Sequence, residues 1–190
     1  MLSFDIHQTI LSLKYIGIFF LMVLNGAINI PSSQILYLIA GYFVAVGKLS
    51  FIPTIIVGTL GNTLGNFITY KLVYIYGKPI VKKLLYVKDD TLAKMHNEFE
   101  NKGLWWLLVG KLVPSIKTLV PTIAGLSKIK FSHALAVFFA GSTVWSILVT
   151  YIGYTFGEQI TFKGYTITMS IVGLIMVFIA YKKFIAKNNH

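Results

Sequence analysis

Six apolar runs, at about residues 10 to 30, 34 to 47, 51 to 76, 104 to 126, 131 to 156 and 165 to 181, take up most of a 190-residue chain. About 20 apolar residues in helical form cross a hydrocarbon layer roughly 30 Å thick. The runs therefore constrain the chain to an all-α integral membrane protein, because a helix satisfies its own backbone where no water can. Composition agrees, with 56% of residues hydrophobic and 12% charged, more apolar surface than a soluble domain of this length can cover. The runs leave no length for a separate soluble domain, so residues 1–190 read as one membrane domain.

Two runs are wrong for simple crossings. The run 34 to 47 is short and follows "NIPSS", while 104 to 126 is broken by Pro114, Pro121, Lys111 and Lys117. Proline interrupts the helical ladder, and freed carbonyls at membrane depth survive only against protein or a wet cavity. Both runs are expected to be re-entrant helical hairpins.

Lysine placement gives an independent count. All 17 basic residues are lysine, against 6 acidic residues, for a net charge of +11. Cytoplasmic loops are enriched in such residues, and the stretch 71 to 103 holds Lys71, Lys78, Lys82, Lys83, Lys88, Lys94 and Lys102. The tail, with Lys182, Lys183 and Lys187, falls on the same side. Runs 131 to 156 and 165 to 181, the C-terminal helix, then make one outward and one return crossing. Run 104 to 126 accordingly enters and leaves from the cytoplasm, and 31 to 48 dips in from outside. The expectation is four transmembrane helices, two opposed hairpins and both termini cytoplasmic.

Opposed hairpins predict inverted repeats, here about 10–80 and 104–160. An ungapped offset of 80 residues pairs Lys48 with Lys128, Phe51 with Phe131, Gly61 with Gly141, Thr63 with Thr143 and Tyr74 with Tyr154. "IPSSQILYLIAG" resembles "VPSIKTLVPTIAG" with one insertion. Between the halves, Asp89, Asp90 and Thr91 start a helix whose Leu92, Met95 and Phe99 share a face. It is expected at the cytoplasmic interface, ahead of Trp105 and Trp106 at headgroup level, or else as a solvated linker helix.

The chemistry-bearing residues lie in the hairpins. A lysine at helix centre costs roughly 2.5 to 3.5 kcal/mol on insertion scales. A lone one snorkels to the nearer interface, but Lys111 and Lys117 flank a proline break, which favours a functional reading. Helices beginning after Pro31 or Pro114 would offer unpaired N–H groups beside Ser32, Ser33 and Ser115, and phosphate is the natural guest of such an end. Each serine also suits an ordinary N-cap. Asn29 and Asn66 join the candidate set, while Asn62 and Asn66 in "GTLGNTLGNFITY" equally suit hydrogen bonding between closely packed helices.

Other chemistries find little support. No nucleic-acid-binding motif accompanies the lysines, and without cysteine there is no disulfide or thiolate metal site. The four histidines lack ligand spacing, no Ser/His/Asp order or HExxH pattern is present, and every acid falls near or outside a run's end. The chain is read as a non-enzyme without cofactor or metal.

Over about residues 10 to 160 the chain resembles the DedA family, also described as SNARE-associated or VTT-domain proteins. The resemblance rests on "IPSSQILYLIAG" with Gly47, "GTLGNTLGNFITY" with Gly77, "FENKG", "GKLVPSIKTLVPTIAG" and "FSHALAVFFAGSTVWSILVTYIGYTFG", in that order. It implies two opposed re-entrant hairpins and lipid transport, as in transporters of undecaprenyl phosphate, phospholipid flippases and scramblases. Departures bear on mechanism. Lys111 and Lys117 stand where many members have arginine, keeping charge without the bidentate fork. The family's acidic positions fall at about Leu24, Ser33 and Asn66, which makes proton coupling doubtful here.

The resulting expectation is a multi-pass protein of the bacterial inner membrane that moves a lipid with an anionic phosphate headgroup. Lys111, Lys117, Ser32, Ser33, Ser115, Asn29 and Asn66 would bind that headgroup. The alternatives are a proton-coupled small-ion or drug transporter and a non-transporting structural or assembly protein. Assembly into a homo-oligomer is left open.

Overall fold

The computed structural model describes residues 14–28, 32–85, 89–113 and 116–156. Among these the protein is all helix: α1 (Tyr15–Ile28), α2 (Ser33–Ala45), α3 (Phe51–Tyr76), α4 (Lys78–Leu85), α5 (Asp89–Lys102), α6 (Leu104–Gly110), α7 (Val120–Leu126) and α8 (Phe131–Phe156). The expected C-terminal helix at 165–181, and the ends of the first run, lie outside the described residues.

Helices α3 and α8 have 26 residues each and coincide with the runs read from the sequence. At 1.5 Å per residue each is about 39 Å long, enough to cross a hydrocarbon core with tilt. They are the two described helices long and apolar enough to do so. Their surface is reversed relative to a water-soluble helix. On α3, Ile52, Ile56, Leu60, Leu64 and Ile68 repeat every fourth residue and are exposed, while Thr54, Thr59, Asn62, Asn66 and Thr69 are buried. Helix α1 presents Ile16, Phe20, Leu24 and Ile28 outward in the same spacing. Apolar faces this continuous are stable against hydrocarbon, not water.

Short side chains set the interhelical distances. A Cβ on Gly65 of α3 would fall on the Val23 carbonyl of α1, so glycine alone permits the approach. A Cβ on Gly41 of α2 would meet the Thr150 carbonyl and Tyr154 amide of α8, and one on Gly125 of α7 would meet the Tyr70 carbonyl and Tyr74 amide of α3. Thr150 and Tyr154 are 80 residues beyond Tyr70 and Tyr74. The apolar helix of each broken run thus packs on the long helix of the other half, α2 on α8 and α7 on α3.

The second broken run departs from the expected hairpin in detail. Helix α6 ends at Gly110, turns occupy 111–113 and 116–119, and α7 starts at Val120 with Pro121 in its first turn. The return helix therefore begins after Leu119, not after Pro114. Proline accounts for the shift: in the first turn it forfeits no hydrogen bond, so Pro121 fits a helix start.

The linker helix α5 is also corrected. Leu92 and Met95 are buried, Phe99 packs beside them, and their core also contains Val81, Leu107, Ile123 and Phe138. The apolar face lies on protein, so α5 is not a solvated linker. His96 adds a polar tie, with Nδ1 2.9 Å from Ser127 Oγ at the end of α7 and Nε2 3.3 Å from Glu100 Oε1. Trp105 is exposed, and Trp106 packs against this core.

A second apolar cluster joins Ile18, Leu21 and Met22 of α1, Leu36, Tyr37, Ala40 and Phe43 of α2, and Trp145 and Val149 of α8. Along both long helices, the residues between the stretches that feed the two clusters are polar: Asn62 and Asn66 on α3, Ser142 on α8.

Candidate functional site

The polar layer has α3 as its spine. Asn62 and Asn66, four apart, share a helix face, and Asn66 Nδ2 donates to Asn62 Oδ1 at 2.8 Å and to the Asn62 carbonyl at 2.7 Å. Asn62 Nδ2 donates to Asn25 Oδ1 of α1 at 2.9 Å, and Ser142 of α8 donates to Asn62 Oδ1 at 2.8 Å. One asparagine therefore ties three helices together. Further along α3, Thr59 Oγ1 lies 3.0 Å from Ser146 Oγ. Thr69 donates to the Ala27 carbonyl at 2.8 Å, which satisfies an end carbonyl of α1.

Both candidate lysines enter this layer. Lys111 is 4% exposed and Lys117 9%, so neither snorkels to a surface. Gly141 makes room for the first: a Cβ there would lie 2.6 Å from Lys111 Cβ. Lys111 Nζ is 5.9 Å from the centroid of the Phe138 ring, while Lys117 Nζ is 4.3 Å from that of Trp145 and donates to Ser33 Oγ at 2.6 Å. Among the described residues no carboxylate pairs with either; the ion pairs there join side chains within α5. Aromatic faces and one hydroxyl take the place of counter-ions.

Lys111, Lys117, Ser33, Asn25, Asn62, Asn66, Thr118, Ser142 and Trp145 line one cavity of about 20 Å³, together with the small Gly26, Ala27 and Gly141. That volume holds a water or two. Of the expected site residues, the fold brings Lys111, Lys117, Ser33 and Asn66 to this cavity. Ser32 occupies the N-cap position of α2, but its hydroxyl lies 3.3 Å from Gln34 Oε1 and does not cap the helix. Ser115 and Asn29 lie outside the described residues. Trp145, Ser142 and Thr118 are cavity residues that the sequence reading did not single out. Ser142 carried a signal nonetheless, since it stands 80 residues from Asn62, the offset of the internal repeat.

The VTT-domain family model matches residues 30–155, from α2 through α8, which hold every cavity residue except Asn25, Gly26 and Ala27 of α1. The chain belongs to the VTT-domain (DedA) family. Among curated relatives, this VTT-domain protein is 28% identical over 183 residues to the uncharacterized membrane protein YkoX of Bacillus subtilis, covering 90% of this chain and 80% of that one. It is 27% identical over 135 residues to undecaprenyl phosphate transporter A of Bacillus subtilis, covering 70% and 68%. To the inner membrane protein YqjA of Escherichia coli it is 26% identical over 165 residues, covering 84% and 74%. No solved structure matches it significantly. These names describe membrane proteins and a transporter, in keeping with the outward apolar faces of α1, α3 and α8.

Leu24, near which the resemblance places a family acid, does not line the cavity. Leu24 is 47% exposed on the outer face of α1, whereas its neighbour Asn25 is buried and lines the cavity. Adjacent helical residues point about 100° apart, so a side chain at 25, not 24, meets the lysines. The described lining has amides and hydroxyls, two ammonium groups and no carboxylate.

Proposed function

We propose that this protein moves a phosphate-bearing lipid, undecaprenyl phosphate or a phospholipid, between the leaflets of the bacterial inner membrane. The carrying observation is the pair of buried lysines that share one cavity without a carboxylate. Two uncompensated cations among amide and hydroxyl donors favour an anion. The tetrahedral oxygens of a phosphate match that donor set better than a carboxylate-free cavity matches any cation. The name of undecaprenyl phosphate transporter A supports the same substrate class.

Lys111 and Lys117 attract the phosphate, Ser33 and Asn66 donate to its oxygens, and Ser32, Ser115 and Asn29 serve it at the hairpin tips. The resting cavity of about 20 Å³ is tight for a phosphate group, so passage requires the turn at 116–119 to separate from α2. The Lys117–Ser33 hydrogen bond is the contact that must break.

The membrane arrangement in this reading has four crossings, two opposed re-entrant hairpins, inverted repeats and cytoplasmic termini. The exchanged glycine contacts, Gly41 on Thr150 and Gly125 on Tyr70, support the repeats. So does the Asn62–Ser142 bond, which joins equivalent positions across the pseudo-two-fold axis. The deciding experiment is leaflet-resolved transport in proteoliposomes, comparing polyprenyl phosphate with phospholipids. Transport of neither would leave a structural role as the better account.

A further inference from the structure

The resting cavity raises a question that a lipid does not answer: what neutralises two buried lysines when no headgroup is present? Lys111 has no hydrogen-bond partner among the described residues, only the Phe138 ring at 5.9 Å, and Lys117 has one, the Ser33 hydroxyl. A second orphan sits beside them. Trp145, 5% exposed, lines the same cavity, and its buried Nε1–H has no partner among the described residues. A buried N–H left unpaired is costly, as is an unpaired ammonium.

We infer that the resting protein holds one halide-sized anion, chloride under physiological conditions, in the cavity between Lys111 and Lys117. Three observations converge on it. The lining has positive charge and donors without a carboxylate. The space of about 20 Å³, that of a water or two, suits a single monatomic anion better than the four oxygens of phosphate or sulfate. The buried donor with no partner among the described residues, the Trp145 indole N–H, is of a kind that binds anions, as are the two lysine ammonium groups lining the same cavity. Water fills the space equally well but leaves the charge uncompensated. The anion leaves when a lipid phosphate opens the cavity, so halide and headgroup compete for the same two lysines.

The inference shares its lysines with the proposed function but does not need a lipid. Its test uses the full chain in detergent, in gluconate buffer, with gluconate replaced by chloride, bromide or sulfate at constant ionic strength. A ligand that binds only the folded form raises Tm with its concentration. Chloride and bromide are expected to raise Tm saturably, and sulfate is not. Lys111→Met and Lys117→Met each weaken the halide effect about tenfold or more, the worth of one charged hydrogen bond. Trp145→Phe keeps a ring beneath Lys117, removes the N–H, and weakens it roughly two- to tenfold. Equal Tm in gluconate and halide, a sulfate effect as large as chloride's, or halide stabilisation unchanged in both lysine variants overturns the inference. Should the lysine variants fail to fold, anomalous scattering from wild-type crystals grown in bromide decides. A peak within hydrogen-bond reach of Lys117 Nζ is expected, and its absence overturns the site. Halide binding without lipid transport would sink the proposed function and leave this inference standing, and the reverse result would do the opposite.

Discussion

Lys117 Nζ donates to Ser33 Oγ across 2.6 Å, joining residues 84 apart in sequence, one in each broken apolar run. Neither residue has another described hydrogen-bonding side chain at this point, and both line the cavity. The bond fixes the turn at 116–119 against the first turn of α2, which in the proposed function makes it the contact that closes the site.

Lys117→Ala is expected to lower lipid transport about tenfold or more while the protein still inserts and folds, because a charged hydrogen bond and the phosphate's attraction are lost together. Lys117→Arg keeps charge and donors and should retain much of the activity. Lys111→Ala is expected to lower transport similarly. Proteoliposome flux, with detergent-solubilised Tm as the folding control, separates these effects, and unchanged flux in the double alanine variant would remove the lysines from the site.

Asn62→Leu should destabilise the fold by about 1 to 3 kcal/mol. It removes at once the side-chain bonds of Asn62 to Asn25, Asn66 and Ser142, while interhelical hydrogen bonds within membranes average roughly 0.6 kcal/mol each. Unfolding in graded denaturing detergent measures the change. Ser142→Ala, which removes one donor, is expected to cost less.

Gly41→Val drives a side chain into the α8 backbone at Thr150 and Tyr154. Overpacking of this kind costs roughly 1 to 3 kcal/mol. Gly125→Val meets the equivalent backbone of α3 and should behave alike, whereas Gly47, with no atom near a built Cβ but a φ of +72°, should lose stability only through backbone strain. A thermal-shift series over the three variants checks the ranking.

Topology is tested by single cysteines in this cysteine-free chain. Cysteines at both termini and at Lys88 should label only from the cytoplasm, and none within 112 to 122 should label from outside. Outside labelling at Lys88 would reverse the orientation assigned from the lysines.

Transport should run down the lipid gradient and change little when a proton gradient is imposed or collapsed. A proton-driven carrier needs a group that changes charge at the site; Asn25, Asn62 and Asn66 do not titrate, and a bound phosphate holds Lys111 and Lys117 in their charged form. A several-fold dependence would defeat this, and Glu158→Gln would then be the first variant to make.

The apolar runs alone determined the helices, because a backbone in hydrocarbon has few other ways to satisfy itself. Phe51–Tyr76 and Phe131–Phe156 match the sequence reading at both ends. Pro114, Pro121 and the two lysines likewise marked the broken run that carries the site, since each is expensive in a lipid-facing helix. Which face each helix turns inward was beyond the sequence. Leu24 and Asn25 are neighbours, and only the packing of α1 on α3 sends one to the outer face and the other to the cavity. The roles of Ser142 and Trp145, and the burial of α5 by Leu92 and Met95, were decided the same way, because contacts between residues far apart in the chain exist only after the helices have packed.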